Sequence, residues 1–258
     1  MRFDALFLVV SLLCAPAITM GQSAQVPPQP VAHVVDGGTN GTMESIFVPP
    51  LKSAPFSLML DTEWLRPLGN GGTFTLANQR RIARDGKGRI YQERWILVPK
   101  RSKIPSRMNL FQITDPAQHT WYDCHVQEKI CELLPYTLSA DKTYKPVIGV
   151  TGPLSNGSGS HQHEDLGLGN TEGVDTTGYR ETTTINAGAL GNDAPMVITR
   201  EFWFSSQLGI NIISKVDDPQ NGRQVFTVRE LVTSEPDPRL FAVPEGYQVI
   251  DHSKPDTP

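Results

Sequence analysis

EFWFSSQLGINIISKVDDPQNGRQVFTV, residues 201–228, is the stretch that decides the fold. Around Asp218-Pro219-Gln220-Asn221-Gly222-Arg223 the chain carries the turn residues of a tight hairpin, with MVITREFWFS (196–205) and GINIISKVDD (209–218) before it and RQVFTVREL (223–231) after it. Such β-branched and aromatic runs, bounded by Gly, Pro, Asn and Asp, read as strands joined in sequence order. GVDTTGYRETTTIN (173–186) continues the pattern upstream. Earlier still, from Met43 to Tyr136, the same spacing recurs in ESIFV, FSLMLDTEWL, GTFTLANQRRIA, RIYQERWILVP and NLFQITD. There RDGKGR (84–89) supplies the turn between the third and fourth. No capped, long apolar-periodic helical segment interrupts them. Even strand spacing with tight turns predicts a mainly β protein, an antiparallel meander with few helices.

The domain organisation follows. MRFDALFLVVSLLCAPAITMGQSAQ opens the chain with Arg2, an apolar run from Ala5 to about Ala15, and small residues at Gly21, Ser23 and Ala24. This is the three-part layout of a secretory signal over 1–24, too short to span a bilayer. A buried N-terminal strand or an uncleaved anchor are the alternatives, and Cys14 lacks the small residue expected before a lipidated cysteine. A Pro/Gly-rich leader is expected over 25–42. N-terminal antiparallel strands follow over 43–138, then a Gly/Ser/Asn-rich loop or linker over 139–165. C-terminal antiparallel strands over 166–250 complete the same sheet or form a second small one, and 251–258 is a disordered tail. No later run approaches the roughly 20 apolar residues of a membrane helix. With 22 Gly, 21 Pro and ordinary apolar content, the composition excludes collagen and wholesale disorder.

Export decides the thiols. In WYDCHVQEKICELLPY (121–136), folding about Gln127 and Glu128 sets Cys124 opposite Cys131 and His125 opposite Ile130. Facing cross-strand cysteines approach the separation a disulfide requires, and an oxidising compartment favours the bond. A redox pair would show C-x-x-C near a helix N-terminus, and zinc would want two more ligands at recognisable spacing. The expectation is a Cys124–Cys131 staple.

The run 201–228, followed by EPDPRLFAVPEGY, resembles the sheet core of the LolA/LolB/RseB-like half-barrel proteins of the bacterial envelope. The matching positions are Trp203, Leu208, Asp218 with the Asn221-Gly222 turn, Phe226, Phe241, Pro244 and Gly246. The layout GYRETTTIN…TREFWFS…SEPDP…F.VPEGY looks closer still to a set of uncharacterised secreted bacterial envelope proteins. The resemblance covers roughly 165–250. It implies a curved, half-barrel-like antiparallel sheet and a non-catalytic binding role toward lipid, lipoprotein or another envelope component, in the periplasm or outside the cell. Carriers of this type cover the sheet with helices, and little helical sequence occurs here.

Several side-chain groupings invite a function. Residues 80–107 hold ten cations, among them Arg80, Arg81, Arg84, Lys87 and Arg89, against only Asp85 and Glu93. With a total net charge of −4, the rest of the chain sums to −12. That asymmetry predicts a positive hairpin facing anionic lipid headgroups, lipopolysaccharide phosphates or an acidic protein, the route by which a partner protein could also be docked. Nucleic acid is not expected in this compartment. The plainer alternative is a solvated hairpin tip whose lysines and arginines discourage edge aggregation. Trp95, Phe202, Trp203 and Phe204, on the densest apolar strands, are candidates for an apolar pocket or for ordinary core. His161 and His163 form H-x-H with Asp165 beyond, but within the Gly/Ser loop, so no metal is assigned. DDPQNG imitates the start of a calcium loop without its final Glu, and GLGNTEG imitates a dinucleotide loop with Glu172 in place of the third Gly. No G-x-S-x-G elbow or acid–base set is present, so neither catalytic residues nor a cofactor are expected.

Overall fold

β1 shows how the sheet is made. Over Phe56–Pro67 every second residue from Phe56 to Trp64 is buried and the intervening ones are not, the period of two that a strand imposes. A computed structural model describes residues 45–142, 145–146 and 148–253. The segments read as signal (1–24) and leader (25–42), and most of the tail, lie outside the described residues. After β1 come β2 (Thr73–Arg84), β3 (Ile90–Trp95), β4 (Val98–Pro99), β5 (Met108–Asp115), β6 (Thr120–His125) and β7 (Ile130–Pro135). Then follow β8 (Gly152–Pro153), β9 (Gly159–Thr171), β10 (Val174–Ile185), β11 (Met196–Ser205), β12 (Ile210–Asp218) and β13 (Gly222–Val232). A 3-10 turn at Pro238–Phe241, its start capped by the Asp237 carboxylate accepting from Arg239 N, leads to β14 (Gln248–Asp251).

All fourteen belong to one open, curved sheet, in the order β14-β7-β6-β5-β3-β2-β1-β13-β12-β11-β10-β9-β8, with β4 beside β2. The mainly β expectation holds, and the two halves share that single sheet. They join where β1 pairs with β2 on one side and β13 on the other, for instance Leu60 with Arg80 and with Val228. The 218–223 turn forms as its sequence predicts. Gly222 has φ +81° and a Cβ there would lie 2.2 Å from the Leu65 carbonyl oxygen, so no other residue fits.

Three boundaries are corrected. The segment read as a loop to 165 ends earlier: β9 begins at Gly159 and pairs with β10 from there onward, because the ladder satisfies the backbone whatever polar side chains the strand carries. The C-terminal Pro-rich segment regains a ladder beyond Gly246, where Gln248–Asp251 pairs with Ile130–Leu133. That pairing is parallel, so the sheet is mixed rather than purely antiparallel. Residue 251, placed in the tail, is the end of β14.

The two faces are covered by different segments. Leu58, Leu60, Ile82, Ile90, Ile212, Phe226 and Val228 form the main core, packed against Ile46 and Val48 from the extended stretch before β1. On the opposite face of β2, β3, β5, β6 and β7, Ala83, Tyr91, Phe111 and Ile113 are packed with Phe241, Val243 and Tyr247 from the C-terminal segment. The Cys124–Cys131 disulfide lies in this second cluster, fully buried between facing residues with Cα atoms 4.0 Å apart.

Candidate functional site

Alternation along β1 and β13 sends Phe226 and Leu60 to the core and their neighbours to the other side. There Asp61, Glu63 and Leu65 of β1 stand beside Arg223, Val225, Thr227 and Arg229 of β13. Thr73 and Thr75 of β2, with Pro99, Lys100 and Arg101, close the other wall. The result is an open trough of about 700 Å³ floored by paired strands.

Four cations and two carboxylates line it. Lys100 Nζ lies 2.5 Å from Glu63 Oε1, Gln79 Nε2 donates to Asp61 Oδ1 at 2.8 Å, and Arg229 Nε is 3.6 Å from Asp61 Oδ2. Arg101 and Arg223 form no ion pair among the described residues. The trough therefore carries spare positive charge beside the apolar side chains of Leu65, Phe74 and Val225, and the charge suits an anionic ligand. Sequence reading passed over Arg223 and Arg229. The signal was there: they lie an even number of residues apart on one strand, so they share a face.

The basic hairpin predicted from residues 80–107 is largely turned inward. Arg84 is fully buried, donating to the carbonyls of Ala54 (3.0 and 2.8 Å), Pro49 (2.9 Å) and Leu208 (2.7 Å), with its guanidinium over the Phe56 ring. Burial away from water pulls its pKa down to about 10. Arg80 is also buried, donating to Ser45 Oγ and Gln92 Oε1. Arg94 donates to Gln112 Oε1, and Gln112 donates to Asp123, which also accepts from Trp121 Nε1. Arg89 is held by Asp85 at 2.7 Å and lies over Phe241. Of the five residues assigned to the patch, only Arg81 and Lys87 are exposed. The five do not make one positive surface, because alternation sends Arg80 and Arg84 to the core face, where backbone carbonyls and amides satisfy them.

The four aromatics do not converge either. Phe202 and Phe204 alternate with Trp203 across β11, and Trp95 lies on β3, five strand spacings or about 24 Å away in sheet order. Trp95 Nε1 donates to Glu93, which also accepts from the Tyr91 hydroxyl and Arg81 N. Phe202 stacks with Tyr179, and Tyr179 with His163, at 5.5 and 5.6 Å. Trp203 lies over two glycines: a Cβ on Gly178 or Gly169 would sit 2.9 or 2.8 Å from its ring.

On that same side of the sheet runs a charge ladder across four strands, Glu164–Arg180 (2.9 Å), Arg180–Glu201 (2.9 Å) and Glu201–Lys215 (2.8 Å). Burial alone would raise the Glu201 pKa, but hydrogen bonds from Lys215 and Arg180 outweigh it and hold the carboxyl at about 2. His161 and His163 stand on β9, not in a loop. His161 Nδ1 is 3.1 Å from Thr183 Oγ1 and its Nε2 is 3.7 Å from Glu181 Oε1. Glu181 Oε1 accepts from Gly149 N, so the carboxylate already serves the backbone.

No protein-family model matches the chain, and no curated protein does. Solved structures offer distant likenesses. An uncharacterized conserved protein from Thermus thermophilus matches with TM-score 0.39 and 8% identity, over 78% of this chain and 91% of that one. MucB (RseB), in the Pseudomonas aeruginosa MucA/MucB complex, matches with TM-score 0.37 and 12% identity over 77% of this chain, which spans 59% of that one. The Mycobacterium tuberculosis lipoprotein LppX matches with TM-score 0.23 and 14% identity, over 70% and 87%. At this distance the function has to be read from the residues of this chain.

Proposed function

We propose that this is a non-catalytic binding protein of the bacterial envelope, and that its trough holds the anionic polar part of an envelope lipid or lipoprotein. The single supporting observation is the trough itself, a paired-strand floor with Arg101 and Arg223 left without a counter-ion among the described residues and Asp61 and Glu63 already engaged. Carboxylates held by Gln79 and Lys100 can help orient a charged ligand. Export is supported by the signal-like N-terminus and by the buried disulfide, a bond favoured outside the reducing cytoplasm. Neutral headgroups gain nothing from its cations. Docking of a partner protein through the 80–107 hairpin is less well supported, because Arg80, Arg84 and Arg94 are buried.

The test is native mass spectrometry of the full chain recovered from its own envelope fraction at low salt, beside Arg223→Glu/Arg229→Glu. The expected result is a co-purified anionic species on the parent, shed by raised ionic strength and missing from the variant. A ligand-free parent at low salt, or equal occupancy of parent and variant, would overturn the assignment.

A further inference from the structure

One end of the sheet gathers three chain reversals. β1 and β2 are joined there through Leu68–Gly72, and the β12–β13 turn lies beside them because Leu65 pairs with Arg223. The connection after β3 returns to the same end: Lys100 N donates to Thr75 O, and Ile96 N to Arg107 O. The eight-residue stretch KRSKIPSR (100–107) is therefore held at both its ends, and its first two residues, Lys100 and Arg101, line the trough.

Its chemistry is of two kinds at once. Arg101, Lys103 and Arg107 are exposed and form no ion pair among the described residues, and Arg66 lies exposed on the adjoining strand over the Trp64 ring. In sequence between Lys103 and Arg107, Ile104 is 58% exposed, with Leu68 at 46% on the β1–β2 hairpin and Leu65 and Phe74 also exposed. The acids at this end are mostly spoken for. Glu63 is paired with Lys100, and Asp218 accepts from Gln220 N and Asn221 within its own turn, leaving Asp217 exposed.

Cations alone would suit any acidic partner. Cations interleaved with apolar side chains at a projecting edge suit an anionic bilayer, where the charges meet headgroups and the apolar tips enter the interface. We infer that this end of the sheet, centred on Lys103, Ile104 and Arg107 with Leu68 on the hairpin at the same end, docks the protein on an anionic membrane surface with the trough mouth facing the lipid. The inference rests on the envelope-binding reading, and it adds how the trough meets its ligand. An acidic protein partner would use the cations and leave Ile104 and Leu68 dispensable.

The experiment is co-sedimentation of the full chain with vesicles of phosphatidylglycerol and phosphatidylcholine in equal parts, beside vesicles of phosphatidylcholine alone. Lys103→Gln/Arg107→Gln should bind the mixed vesicles about 30-fold more weakly, from the contribution of one cation near the surface for each residue removed. Both residues are exposed loop positions, so an unchanged melting temperature certifies the fold. In a second variant, Ile104→Trp, the added indole should shift to the blue and lose quenching by iodide when mixed vesicles are added. No binding of the parent at low salt overturns the inference, as does binding without a spectral change at position 104. Vesicle binding lost in Lys103→Gln/Arg107→Gln but kept in Arg223→Glu/Arg229→Glu separates this surface from the trough. The converse loss would refute the docking surface while leaving the trough assignment intact.

Discussion

Arg84 should be one of the costliest arginines to remove, although it has no acidic partner among the described residues. Its guanidinium ties β2 to the stretch before β1 through Pro49 and Ala54, and to the approach to β12 through Leu208. Arg84→Met keeps the apolar stem over Phe56 and removes four charge-assisted hydrogen bonds, worth about 6 kcal/mol at about 1.5 kcal/mol each. Against this stands the burial of the charge. A pKa brought from 12.5 to about 10 corresponds to about 3 kcal/mol of desolvation that the variant no longer bears. The net loss is about 3 kcal/mol, or a melting temperature lower by about 6–12 °C for a chain of this size. Pro49 O keeps Leu51 N as a partner, so the carbonyls of Ala54 and Leu208 are the ones stranded. Arg84→Lys should fall between parent and Met, since a compact ammonium cannot span three carbonyls in a plane. Thermal and urea unfolding followed by circular dichroism measure all three proteins. A Met variant as stable as the parent would mean that desolvation cancels the hydrogen bonds, and that Arg84 is not a structural anchor.

Other outcomes follow from the same structure. Replacing Cys124 and Cys131 together by Ser should cost about 2.5 kcal/mol, the loop-closure entropy of so short a ring, read from the urea midpoint. Glu201, whose folded pKa of about 2 lies below its unfolded 4.5, contributes stability that is present above pH 4.5 and lost as pH falls toward 2. After screening this is about 1 kcal/mol, and Glu201→Gln should flatten that part of the stability profile. Gly178→Ala drives a methyl against the Trp203 ring and should cost about 1–3 kcal/mol, with a shift in tryptophan emission that Gly71→Ala, in open space at a turn, would not produce.

The strands and both principal hairpins were legible because their cause is local: alternation, β-branching and turn residues act within a few positions. The cysteine pairing was legible for the same reason, since Gln127 and Glu128 fix the fold-back point. The site was less so. Arg80, Arg81 and Arg84 look alike in sequence, but one residue of register sends Arg81 to solvent and its neighbours to the core face. Whether a buried face accepts an arginine depends on carbonyls from distant segments, here Pro49, Ala54 and Leu208. Likewise β14 could not be foreseen, because a parallel partner more than a hundred residues away leaves no periodic trace in four residues. The trough needed β1 and β13 to be neighbours, which no local pattern encodes.

That pairing also sets the order of assembly. β1 precedes β13 by more than a hundred residues, yet one of its two ladders waits for it, so a strand with a bare hydrogen-bonding flank persists until Val232 has been made. Until then that flank is open to pairing with another molecule, and shielding of Phe56 to Trp64 during synthesis guards against it.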